Sequence, residues 1–219
     1  MCFSASASFA AGAALLAIGA VTLRKAGCRA ERAYAAIPLL FGVQQLTEGM
    51  VWLSFSPELA LLNPAMTFVY SLFSHVLWPI YVPFAVLLVE PVRWRRRALA
   101  AFLVAGAAVG LYLLVNMFRF PIESRAAAGH IEYVSPHFYI APVMAGYLAG
   151  TCISMLFSSQ KLVNAFGAAA LLSFGLAYAI YRQWFISVWC FFAAVLSVIV
   201  LLHFTNRGFP KESSHGLAV

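Results

Sequence analysis

A chain of 219 residues in which 63% are hydrophobic and only 10% charged is not built as an ordinary water-soluble domain. Its net charge of +7 comes from Lys and Arg at the ends of apolar runs, with no separable basic patch, and this excludes a nucleic-acid partner. Counting apolar stretches of about 20 residues predicts an all-α polytopic membrane protein, a bundle of seven transmembrane helices in contact with the lipid bilayer.

The predicted spans lie at roughly 4–23, 33–54, 64–89, 98–118, 138–158, 162–181 and 184–204. Residues 1–204 then form one transmembrane domain and 205–219 a short polar tail. Of the 14 Lys and Arg residues, eleven fall in alternate loops and the tail and three (Arg119, Arg125, Arg182) in the others. That bias puts the N-terminus outside and the C-terminus in the cytoplasm, as expected of a multi-pass protein of the cell membrane, in bacteria the inner membrane.

The first span starts so close to Met1 that Cys2 is expected at the outer surface. No basic segment precedes it, so it does not read as a cleaved signal. Ser4, Ser6 and Ser8 are available to cap the helix.

The second span carries the most informative stretch, Phe41 to Trp52. Helical spacing puts Gln44 or Gln45, Glu48 and Trp52 on one stripe. An ionised carboxylate near the bilayer centre costs on the order of 2.5–3.5 kcal/mol, so the stripe is expected to face other helices or a wet cavity.

The third span holds Ser71 and His75, then Pro79 and Pro83. The two prolines remove backbone donors, kink the helix and free carbonyls around Ser74-His75 and Pro79-Ile80 for other partners. Glu48 is expected about 9 Å below the outer end of its span and His75 within about 16 Å of the outer end of its own, so the carboxyl and the imidazole can meet. Ser71 and His75 share one helix face, a spacing poorly suited to aiming a nucleophile and its base together.

Glu90 to Arg97 reads as a basic anchor with Trp94 at the interface. Gly106 and Gly110 in the fourth span, and Gly146 and Gly150 in the fifth, permit close packing within the bundle, with homo-oligomer formation as the alternative. Between them, the loop 119–137 carries His130, Glu132 and His137, expected either as a solvated loop or as a surface metal site. In the seventh span Cys190, about 9 Å in, is level with Glu48, and Cys2 and Cys190 are expected near one outer surface, as apolar fillers, a disulfide or shared metal ligands.

Four stretches, Met1-Cys2-Phe3-Ser4-Ala5-Ser6-Ala7-Ser8-Phe9, Ile37 to Glu48, Leu77 to Pro83 and Trp189-Cys190, together resemble an uncharacterised bacterial family of short multispanning proteins that begin Met-Cys-Phe-Ser-Ala. The likeness runs from Met1 to about Phe204. It implies seven helices, and it directs attention to Cys2, Gln45, Glu48 and Cys190.

Several activities are removed by absence. Spans six and seven lack the lysine a retinal Schiff base needs. No Asp occurs in the chain, so the motifs of seven-helix zinc hydrolases are not carried, and no Gly-x-Ser-x-Gly turn is present. Two classes remain. In one, Glu48 and His75, with Cys2 and Cys190, bind a transition metal such as zinc, iron or copper in a membrane metalloenzyme. In the other, Gln44, Gln45, Glu48, Trp52, Ser71 and His75 line a polar pocket for a small molecule or a proton, as in a transporter-like or sensor protein without a metal.

Overall fold

The computed structural model describes residues 4–206, and they form seven helical rods and one β-hairpin. The first rod is α1 (Ala5–Lys25), capped by Ser4, whose hydroxyl accepts the Ala7 N–H at 3.2 Å. The second consists of α2 (Arg29–Ala35) and α3 (Ile37–Leu53), which meet at Ala36 one residue before the start of α3. Pro38 lacks the N–H that would continue the ladder across this joint. Thr22 of α1 covers the break, its hydroxyl donating to the Ala35 carbonyl at 2.6 Å. Lower down, α1 and α3 pack backbone to backbone: a Cβ on Gly42 would lie 2.9 Å from the Leu16 nitrogen.

The third rod contains α4 (Asn63–Ser71), a π-helical turn over Leu72–Leu77 and α5 (Trp78–Val89). Both of its interior prolines leave carbonyls that neighbouring rods use, as their positions in the sequence lead one to expect. In the π register the missing Pro79 N–H would have met the Ser74 carbonyl, and the Tyr147 hydroxyl donates to that carbonyl instead. In the α register Pro83 frees the Pro79 carbonyl, against which Gly106 and Gly150 pack: a Cβ at Gly106 would lie 1.8 Å from that oxygen, and one at Gly150 2.7 Å. The small residues of the fourth and fifth rods thus serve packing inside the bundle.

The fourth rod is α6 (Arg93–Arg119). Beyond it, where sequence suggested a loop, β1 (Glu123–Ala127) pairs antiparallel with β2 (His130–Val134). Ala128 and Gly129 both take positive φ, 49° and 75°, the geometry that closes a two-residue hairpin with the right twist. The fifth rod comprises α7 (Ala141–Leu148), a second π turn over Ala149–Ile153 and the short α8 (Ser154–Leu156). The sixth is α9 (Lys161–Ile180), and the seventh is α10 (Phe185–Leu196) followed after Ser197 by α11 (Val198–Thr205).

Among the described residues, five helices are long and apolar enough to cross a membrane: Ala5–Lys25, Pro57–Val89, Arg93–Arg119, Lys161–Ile180 and Arg182–Thr205. The other two rods fall short individually, α3 because the joint at Ala36 leaves it 17 residues and Ala141–Leu156 by length. Two apolar clusters fill the interior. One surrounds Phe41, Trp78, Val86 and Phe166, and the other surrounds Tyr70, Phe138, Tyr147, Phe185 and Trp189.

Candidate functional site

Helix α3 turns three polar side chains inward, since Gln44, Gln45 and Glu48 are each 0% exposed. The burial of Glu48 meets the expectation that its face avoids lipid. Gln44, one turn before Glu48, shares its stripe. Its Oε1 accepts the Trp78 Nε1–H at 2.7 Å, and Trp78 lies stacked on Phe41 at 3.8 Å, so the indole is fixed before it reaches the amide. Glu48 Oε1 accepts the Ser187 hydroxyl of α10 at 2.6 Å. One turn further along α10, the Cys190 thiol faces Gln44, Tyr70 and Glu48. The Tyr70 ring of α4 is stacked on Tyr133 of the hairpin at 4.4 Å, which ties the cluster to the strand above it.

The Gln44 amide, with Oε1 on Trp78, turns its N–H side to the Cys190 sulfur. Next to Tyr70 in the chain, Ser71 is buried, and among the described residues its Oγ has no hydrogen-bond partner. Gln45 is buried, and among the described residues neither of its amide atoms is bonded. Trp52 stands apart from the cluster, half-buried and edge-on to Phe55 at 6.0 Å.

His75, in the π turn, is 0% exposed and held at both ring nitrogens. Nδ1 lies 2.8 Å from Ser74 Oγ, within reach of the Ser71 carbonyl, and Nε2 lies 2.9 Å from Ser135 Oγ. Both ring nitrogens are thus engaged by serine hydroxyls, whichever of them carries the proton. The expected meeting of carboxyl and imidazole therefore takes another form: Glu48 is bonded to a serine of α10 and His75 to two serines of its own surroundings. The lone pair a metal would take from His75 is already engaged.

Among the described residues no group of three or more His, Cys, Asp or Glu side chains could hold a metal ion. Cys2, expected as a ligand beside Cys190, lies outside the described residues. The proposed surface site of His130, Glu132 and His137 does not assemble. His130 stacks on Trp184 at 4.7 Å, and burial lowers its pKa. Glu132, on the same strand face, accepts the Gln183 side-chain N–H at 3.2 Å. His137 lies instead on Phe120 at 4.9 Å, at the end of α6. Strand alternation explains why the first two share a side, and the start of a new helical turn at Pro136 explains why the third does not.

A cavity of about 40 Å³ adjoins the cluster, lined by Phe41, Trp78, Tyr147, Cys152, Trp189 and Cys190 among others. Space of that kind holds a few waters at most, on the order of one per 10–15 Å³. Cys190 belongs both to this apolar cavity and to the polar group around Glu48.

The chain belongs to the DUF6629 family. Its family model, described as a family of unknown function, matches residues 1–215. No curated protein and no solved structure matches this DUF6629 chain.

Sequence reasoning overlooked several of the residues that build the site. Ser187 carried a signal, since it lies three residues before Cys190 and so on its helix face. Trp78, Tyr70 and Tyr147 look like ordinary bundle aromatics until their polar atoms are placed. Ser135 comes from the segment that was expected to be a loop. At the opposite end, Glu90 is 1% exposed and does more than begin a basic anchor. Its carboxylate accepts the N–H groups of Val92 at 3.0 Å and Ser159 at 2.6 Å and the Ser158 hydroxyl at 3.3 Å. Burial raises the Glu90 pKa, but these bonds outweigh it and hold the group below the ordinary carboxyl value. Arg95 completes the tie by donating to the carbonyls of Phe157 and Ser158.

Proposed function

We propose that this DUF6629 protein crosses the cell membrane seven times, N-terminus outside and C-terminus in the cytoplasm, and binds a small polar solute between its second, third and seventh rods, as a transporter-like or sensor protein. In bacteria that places it in the inner membrane. The topology is supported by the agreement between seven apolar rods and the distribution of Lys and Arg.

One observation carries the binding reading: the buried side chains of Glu48, Gln44, Tyr70 and Cys190 converge from three rods, and among the described residues the hydroxyl of Ser71, next to Tyr70 in the chain, is buried without a hydrogen-bond partner. Leaving a buried polar group unsatisfied costs about 1–3 kcal/mol, so a solute that bonds to that hydroxyl recovers that energy on binding. The solute is small and offers donors to the carboxyl and to the hydroxyl. The engaged Nε2 of His75 favours this reading over a metal centre.

The test is extraction. Wild-type protein purified in detergent, then denatured and analysed by mass spectrometry, is expected to release a polar compound that Glu48→Gln and Gln44→Ala proteins do not. Metal analysis of the same samples supplies the opposing outcome: stoichiometric metal in the wild type that disappears in Glu48→Gln would establish a metal centre and sink the proposal.

A further inference from the structure

A second site lies above the bundle, between the hairpin and the connection from α9 to α10. A hollow of about 330 Å³ is lined there by Glu132, Ser135, Tyr139, Tyr178, Arg182 and Gln183 among others. Volumes of roughly 300–1,000 Å³ are usual for small-molecule sites. Among the described residues the hollow is lined by one acid and one base, and they form no ion pair with each other. Glu132 is held by the Gln183 side chain at 3.2 Å, while the Arg182 guanidinium sits over the Tyr178 ring at 5.6 Å. Tyr139 lies within electrostatic reach of Tyr178, Glu132 and Arg182, so all four groups converge on one space.

An acid and a base that share a hollow usually pair unless other contacts keep them apart. Here a side-chain amide restrains one and an aromatic face restrains the other. We infer that this hollow binds a small zwitterion of the amino-acid type, its carboxylate on Arg182 and its ammonium on Glu132. The guanidinium fork suits a carboxylate. The face of Tyr139 suits an ammonium group or its methylated form. Either half of such a ligand alone meets one charge and leaves the other unanswered, and this makes the site selective for molecules that carry both.

The site is separate from the buried cluster, and its test does not depend on that reading. Calorimetric titration of the detergent-purified full chain with L-alanine is expected to show saturable binding, with acetate and methylammonium each at least tenfold weaker. Arg182→Gln and Glu132→Gln are each expected to weaken L-alanine binding at least tenfold. Glu58→Gln, a change at an exposed acid outside the hollow, serves as the control that leaves it unaltered. Unliganded melting temperatures of the variants report whether they fold. No binding of L-alanine, glycine or glycine betaine to the wild type would overturn the inference, as would equal binding by the wild type and two folded hollow variants.

Discussion

Substitution of Gly106 by Ala tests whether the bundle is held together through proline-freed carbonyls. The added Cβ would lie 1.8 Å from the Pro79 oxygen. A carbon and a carbonyl oxygen in favourable contact are about 3.3–3.6 Å apart, so the third and fourth rods have to separate by roughly 1.5 Å. The obstructing atom belongs to the backbone and cannot swing aside as a side-chain tip does. Overpacking of a tight interior costs about 1–3 kcal/mol, and a rigid neighbour puts this case at the upper end. For a chain of this length each kcal/mol moves a midpoint by about 2–4 °C, which predicts a fall of about 6–12 °C in the apparent Tm of the detergent-solubilised protein. Gly175→Ala is the matched control, because nothing lies within 4 Å of its added Cβ. There the helix gains about 0.5–1 kcal/mol, and the midpoint stays level or rises. Equal melting of the two variants would refute the reasoning.

Glu90→Gln should lower the apparent Tm through the loss of charge-assisted bonds worth about 1.5–3 kcal/mol. Because the folded carboxyl titrates below its ordinary value, its stabilisation is present above that ordinary value and disappears as pH falls through the folded one. Melting curves from neutral pH downwards should therefore show the wild type losing more stability in acid than the variant; parallel losses would count against the clamp. His75→Leu leaves the Ser74 and Ser135 hydroxyls without the imidazole and should destabilise by about 1–3 kcal/mol, with His75→Gln recovering part of it, as read by thermal unfolding. For topology, a reporter active only in the cytoplasm should work when fused to the C-terminus and fail when fused to the N-terminus. The reverse pattern would overturn the assigned orientation.

The rods were legible in the sequence because apolar runs and charged breaks encode them locally. Pro79 and Pro83 further announced which carbonyls would be free, and the structure shows Tyr147, Gly106 and Gly150 using the Ser74 and Pro79 oxygens. The hairpin was hidden because its strands, Glu123–Ala127 and His130–Val134, are short and weakly alternating, and their turn is Ala-Gly instead of a strong Asn-Gly signal. Depth along the helices correctly brought Cys190 to the level of Glu48. It gave no information on rotation, and rotation decides that Glu48 is bonded to Ser187 while His75 turns to Ser135. A loop serine that reaches a buried imidazole has no periodic signature at all.

The most direct test of a solute site inside the bundle is an electron cryomicroscopy map of the protein in lipid nanodiscs, detailed enough to resolve side chains. The account predicts non-protein density against Gln44, Glu48, Tyr70 and Cys190, no larger than the space of a few waters, which disappears in the Glu48→Gln protein. Side chains packed solidly through that space, or Glu48 turned towards lipid, would contradict it.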